Sequence, residues 1–369
     1  ALMFACQSGH DPCVRALIEA GVTVNTRLPD GEAALNLACQ NGHVECTKVL
    51  INAGANTELA TDNGFTALMR ATHNGHLTCA RTLIQANAAV DRRQPDGETS
   101  LTLSCRHGHE AITRLLIKSG AKTDLALEKD AIDGPCFTAL MFAAQCGHEK
   151  CARALTMASA DVDATDERGY TALTLACMRG QDRCVSLLVG AHADVDKQTK
   201  KGLAALMYAS ARGHTTCALA ILERHSTKKT VEGVGPMGYT ALMHAVSNGH
   251  TKCALALIKF GAAVDARDCA GLPVIMIACR AKESTVDTVK MLIEKGAPVD
   301  TKDASGRTAL FAACCAGNHN LVNALITVGA DVNAVDSHGC TALTLACQNG
   351  HTLCARALVE AGANAAPPV

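Results

Sequence analysis

Asp336-Ser337-His338-Gly339-Cys340-Thr341-Ala342-Leu343-Thr344-Leu345-Ala346-Cys347-Gln348-Asn349-Gly350-His351 decides how the rest of this chain is read. Thr341 carries a side-chain oxygen placed to cap a helix bearing Leu343, Ala346 and Cys347. Asn349-Gly350 is a turn dipeptide that ends that helix. Beyond it, Cys354, Leu358 and Val359 fall at i, i+4 and i+5, an apolar stripe on a second helix. Gly362 stands where a left-handed residue is wanted to close it. Each helix is about ten residues, too short to persist alone, so stability must come from stacking against something else.

The same stretch recurs. One apolar residue marks the register at Leu2, Leu35, Leu68, Leu101, Leu140, Leu173, Leu206, Leu242, Ile275, Leu310 and Leu343, with most intervals equal to 33 residues and the others 39, 36 and 35. A period in this range belongs to stacked, quasi-one-dimensional proteins whose repeats bury their core against each other. The unit resembles the ankyrin repeat: the Gly-x-Thr-x-Leu start, the Ala-rich first helix, the Gly-His turn, the apolar second helix and the Gly-Ala-x-Val-Asp/Asn exit are all present. The resemblance covers 11 units. It implies an all-α solenoid of helix–turn–helix units joined by β-hairpin-like loops, a single array over 1–364, and a linker or tail beginning at 365–369. Such a fold hosts many unrelated roles, so function must be sought where the repeats differ.

Composition narrows the classes. The formal net charge of −1 gives no electrostatic footprint for nucleic acid. No apolar run is long enough for a membrane span and no signal peptide is visible, so direct membrane insertion is not expected. The chain has no phosphate-cradling glycine loop, nucleophile elbow or recurring carboxylate pair, so the reading is non-catalytic, with no cofactor. The 20 cysteines fall mostly on two repeat positions. Cys6, Cys39, Cys105, Cys177, Cys279, Cys314 and Cys347 occupy the first helix; Cys13, Cys46, Cys79, Cys151, Cys184, Cys217, Cys253 and Cys354 occupy the second. Reduced cysteine is a small buried hydrophobe, and this is no disulfide framework. A reducing compartment follows, the cytoplasm or the nucleus. Cys136, Cys146, Cys269, Cys315 and Cys340 lie off those positions and are expected to be more accessible.

Two chemical motifs compete with this bland reading. His-x-x-Cys recurs in seven units, as in His43/Cys46 and His76/Cys79. It offers only two of the four ligands a closed zinc site needs, so no metal site is expected. The resemblance implies that the His orders the interhelix turn. Cysteine pairs within a unit, such as Cys39/Cys46 and Cys347/Cys354, could approach across the helix pair, although buried thiols make poor redox sensors.

The more informative position follows the hairpin glycine. Four of the chain's nine aromatics stand there: Phe65, Phe137, Tyr170 and Tyr239. The resemblance places it on the exposed, concave side, where aromatics act as interface anchors. His73, Arg106, His107, Arg179, Arg212 and Arg280, at the ends of first helices, are expected to line the same face and to make it modestly basic. A protein partner with an acidic, partly apolar segment would fit it. Other readings are a targeting or regulatory array of a larger enzyme or channel polypeptide, or a structural subunit of a large assembly. Neither terminal repeat has a polar cap, so the ends are expected to be covered by further chain or by neighbouring subunits.

Three insertions break the period. Leu125 to Cys136 and Ser226 to Met237 lengthen hairpins, and Arg280 to Val286 replaces the Asn-Gly-His turn and is the expected place for a softer joint. Asn87, Ser159, His192 and His225 replace the exit glycine. Asn and His tolerate the left-handed region better than most residues.

Overall fold

A computed structural model describes residues 1–127, 136–281 and 286–365. Most of the first insertion, the turn before Val286 and the tail from residue 366 therefore lie outside the described residues. The chain divides into two compact units, Ala1–Ala193 and Asp194–Val369.

The first unit holds six helix pairs: α1 (Leu2–Ser8) with α2 (Asp11–Glu19), α3 (Ala34–Gln40) with α4 (Val44–Asn52), α5 (Ala67–His73) with α6 (Leu77–Gln85), α7 (Ser100–His107) with α8 (Glu110–Lys118), α9 (Ala139–Cys146) with α10 (Glu149–Met157), and α11 (Ala172–Arg179) with α12 (Asp182–Gly190). First helices pack on the next first helix and second helices on the next second helix, so every internal pair is covered on both sides. The second unit repeats the arrangement with α13 (Ala205–Ala211) and α14 (Thr215–Leu222), α16 (Ala241–Ser247) and α17 (Thr251–Lys259), α18 (Val274–Arg280) and α19 (Val286–Glu294), α20 (Ala309–Cys315) and α21 (His319–Thr327), and α22 (Ala342–Gln348) and α23 (Thr352–Glu360). The insertion in this unit forms a short helix, α15 (Lys228–Glu232), instead of an open loop. Thr230 and Val231 are buried, and Gly235 lies so close to Leu203 and Met207 of the repeat before it that a Cβ would meet both at about contact limit, 3.0 and 3.1 Å.

The register residues form the core: all eleven, from Leu2 to Leu343, are buried. Threonine capping is real. Thr66, Thr99, Thr138, Thr171, Thr240 and Thr341 each accept a hydrogen bond from the backbone N–H three residues on. In α7, α11 and α22 that residue is itself threonine, and its hydroxyl accepts from the cap's own N–H, closing a reciprocal box. Pro273 stands at the cap of α18, just before its first turn, so its missing N–H removes no hydrogen bond from within the helix. The hairpins are short. Asp166 and Asp336 each accept two backbone N–H bonds from the turn they open, at 2.7 to 3.0 Å. Only isolated antiparallel bridges such as Arg27 with Ala33 occur there among the described residues.

Two side-chain ladders join neighbouring repeats. In the first, the exit Asp, Asn or Glu accepts the backbone N–H of the following repeat: Asn25 from Asn56, Glu58 from Ala89, Asp91 from Lys122, Asp124 from Asp161 and Asn333 from Asn364, all at 2.8–3.0 Å. In the second, the turn histidine reaches back. His43, His76, His109 and His148 set Nε2 3.0–3.1 Å from the carbonyls of Gln7, Gln40, His73 and Arg106, each in the preceding repeat. Each ring lies against the preceding repeat's turn glycine. A Cβ on Gly9, Gly42 or Gly108 would sit 2.5–2.6 Å from the imidazole Nδ1.

The exit-glycine substitutes divide. Asn87, Ser159 and His192 take φ of 60–63°. His225 is not among the left-handed residues, because α14 ends at Leu222 and the chain turns into the α15 insertion.

Candidate functional site

The histidine ladder assigns the recurrent His-x-x-Cys motif to the stack. The imidazole nitrogen is engaged with a carbonyl of the neighbouring repeat, while the cysteine three residues on is buried in Cys46, Cys79, Cys151, Cys217, Cys253 and Cys354. The turn role expected of these histidines is thus a bond between repeats. Among the described residues, no group of three His, Cys, Asp or Glu side chains stands close enough to hold a metal ion.

The cysteines are free thiols, and Cys13 and Cys347, expected to be buried, are exposed. Each belongs to a terminal repeat. Two thiol pairs run between neighbouring repeats. Cys39 and Cys79 share a hydrogen bond and both approach the Thr47 hydroxyl, at 3.5 and 3.7 Å. Cys105 and Cys151 repeat the motif around Thr113, at 3.8 and 3.4 Å. Burial pushes Cys39 and Cys105 well above the ordinary thiol range. The hydrogen bond from the partner makes Cys79 and Cys151 the more acidic member of each pair. These are sealed packing elements.

The post-hairpin position departs from expectation. Phe137 is buried, so it is no exposed anchor; its ring meets Phe142 edge-on at 5.4 Å. Phe65, Tyr170 and Tyr239 are half-buried. Glu32 and Glu98 occupy the same position in other repeats, are 7% and 4% exposed, and pair with Arg70 and Arg106. In these repeats the position is a seam where the side chain lies against a first helix, and it accepts a ring as well as a carboxylate bound to arginine. Burial raises both carboxyls above the usual carboxylate range, and the guanidinium beside each opposes that rise.

What the first unit brings together is a ring-and-cation cluster at the ends of α5, α7 and α9. The Arg70 guanidinium lies over Phe65, 4.6 Å from its centroid, and Arg106 lies over Phe142 at 4.3 Å. Such contacts contribute about 0.5–2 kcal/mol each. Phe65 meets His73 edge-on at 6.1 Å, and His73 meets His107 at 4.3 Å. His107 and Arg179 are exposed, and Cys146, also exposed, feels the charges of both Arg106 and Arg179. Sequence reading named Phe65, His73, Arg106, His107 and Arg179 but missed Arg70, Glu32, Glu98 and Phe142. In the second unit, Tyr239 meets His244 edge-on at 5.5 Å and feels Asp268 and Arg280, while Arg212 and Arg280 are exposed at the ends of α13 and α18. The arginines expected to form one basic centre thus divide between the two units.

A family profile described as ankyrin repeats (three copies) matches residues 2–94, 86–166, 140–233, 175–268, 223–303 and 275–367. No curated protein matches the chain. The profile spans nearly the whole sequence, and the chain belongs to the ankyrin-repeat family. Ankyrin repeats are in general protein–protein interaction modules, and the fold is typically non-catalytic. No helix among the described residues is long and apolar enough to cross a membrane.

Proposed function

We propose that this ankyrin-repeat chain is a non-catalytic scaffold that binds a protein partner through the ends of its first helices and the adjoining hairpins. The observation that carries this reading is the cluster in the first unit, where His73, His107 and two arginines on the first helices stand together with Phe65 of the hairpin before α5. Guanidiniums anchored by a carboxylate and a ring lose little freedom on binding, which favours a preorganised interface. Aromatic and arginine side chains are the residue types that dominate interface energetics. A partner segment that is acidic and partly apolar complements this chemistry. The free thiols fit residence in a reducing compartment, the cytoplasm or nucleus.

The test is a crosslinking pull-down from native lysate with a His107→Ala/Arg179→Glu variant of the whole chain beside wild type. Both side chains are exposed, so helical content should not change. Loss of a dominant partner supports the reading. Retention of that partner by this variant, and by an Arg212→Glu/Arg280→Glu variant, would refute it.

A further inference from the structure

The cluster in the first unit carries a charge arrangement that the general reading does not use. Arg70 and Arg106 are each matched by one carboxylate, Glu32 and Glu98. The rings between them, His73 and His107, stand 4.3 Å apart with no carboxylate paired to either among the described ion pairs. The groups that face the pair are cations or potential cations. Arg70, Arg106 and His109 act on His73; His73, His109, Arg106 and His148 act on His107. His109 and His148 already spend Nε2 on the carbonyls of His73 and Arg106. His73 Nδ1 is buried and has no hydrogen-bond partner. A buried polar nitrogen without a partner is costly, which disfavours a charge on His73 in the unliganded chain and leaves the exposed His107 as the ring that an incoming acceptor meets.

At neutral pH the two Arg–Glu pairs cancel and the imidazoles are uncharged, so the cluster is close to neutral. Burial and the neighbouring cations hold His73 and His107 below the ordinary histidine range. A negative charge placed against the exposed edge of the His107 ring, beside Arg106, would supply the missing counter-ion. It would favour the imidazolium form, and a proton would be taken up from solvent as the ligand binds.

We propose that the His73–His107 pair, flanked by Arg70 and Arg106, is a binding site for a carboxylate side chain of an acidic peptide segment, and that binding takes up a proton and strengthens as the pH falls. This rests on the reading of the chain as a protein-interaction scaffold. A peptide is favoured over a small anion because the Phe65 ring continues the run, 6.1 Å from His73. The line from Phe65 through His73 to His107 spans roughly three residues of extended chain at about 3.3 Å each, so a carboxylate and an apolar neighbour can be read together.

The test is fluorescence anisotropy of the whole chain with a short labelled peptide of alternating aspartate and leucine, and with inorganic phosphate as competitor. For wild type, Kd should fall by up to about tenfold per pH unit between about pH 7.5 and 5.5, the limit for one proton bound per ligand. His73→Gln/His107→Gln should bind with little pH dependence. The His107 ring resonances of the folded wild type should titrate at higher pH when the peptide is present, a readout that needs no variant. Absence of peptide binding at either pH would overturn the inference, as would pH-independent binding without a histidine shift, or competition by phosphate at concentrations near those of the peptide. In each of those cases a partner lost from the pull-down by the His107/Arg179 variant would still stand, so the two readings fail separately.

Discussion

Gly42→Ala and Gly54→Ala make the same chemical change in one repeat, and they should differ in cost because of one histidine in the next repeat. Both glycines are left-handed, with φ of 75° and 82°. Forcing an L-residue there costs roughly 1–2 kcal/mol. The methyl returns about 0.4–1 kcal/mol by restricting the unfolded chain. Nothing lies within 4 Å of a Cβ at Gly54, so its net cost should be about 0.5–1.5 kcal/mol. At Gly42 the Cβ would lie 2.6 Å from His76 Nδ1, and the ring must move. The bond from His76 Nε2 to the Gln40 carbonyl, 3.0 Å long, is then lost, adding about 0.5–1.5 kcal/mol besides the packing. Gly42→Ala should therefore cost about 1–3 kcal/mol before the packing loss is added. A His76→Ala background removes the obstacle, so the double variant should fall short of additivity by about 1 kcal/mol. Native-state hydrogen exchange in α3 and α6 is the right assay, since a repeat array opens locally and a single global midpoint would blur the effect. Equal costs at the two glycines, or full additivity with His76→Ala, would refute the claim that this ring couples the repeats.

Three further outcomes follow from the buried polar groups. His73, His107 and His244 all have folded-state pKa values below the ordinary one, chiefly through burial. The unfolded chain therefore binds protons first as the pH falls, so their contribution is fully present above about pH 6.5 and is lost below it. Calorimetry should show Tm falling from about pH 7.5 to 5.5, with part of that fall removed by His244→Phe; a flat profile would contradict the assignment. Brief alkylation of the native chain, read by mass spectrometry, should modify Cys13, Cys146, Cys269, Cys315 and Cys347 first; early labelling of Cys39 or Cys105 would show that the inter-repeat thiol motif is not sealed. Thr113→Val should cost about 1–2 kcal/mol, since the hydroxyl contacts Ser104 Oγ, the His109 carbonyl and Cys151 Sγ. Thr82→Val, whose hydroxyl bonds only locally near the surface, should stay within about 0.5 kcal/mol of wild type.

The features legible in the sequence are those whose physics closes within one repeat. The threonine caps and the left-handed glycines at Gly350 and Gly362 can be read from spacing alone, because the partner lies a few residues away, and the register leucines can be read from their period. What sequence reading misplaced depends on the offset between neighbours. The spacing lets Cys39 approach Cys46 across its own helix pair, yet its thiol meets Cys79 of the next repeat, 40 residues on. The histidine was assigned to its own turn, yet it bonds 36 residues back, as His43 does to Gln7.

The same blindness produced the error about exposure, and it bears on where binding is sought. Phe137 and Glu98 look like finger residues within their own repeat, but the seam they enter is completed by the first helix beside it. Glu98 finds Arg106 eight residues on, whereas Glu32 finds Arg70 38 residues on, so no fixed spacing marks the pair. A signal was nevertheless present. Where the post-hairpin residue is a glutamate, an arginine stands on the first helix of the same or the next repeat. A charged residue at a position held in most repeats by Phe, Tyr or Leu is a question about its counter-ion before it is a question about a partner. Once Arg70 and Arg106 are recognised as matched by Glu32 and Glu98, they cease to be free basic groups, and the unmatched side chains are the histidines between them. The candidate site therefore moves from the finger aromatics to His73 and His107, whose charge is set by pH and by whatever docks beside them.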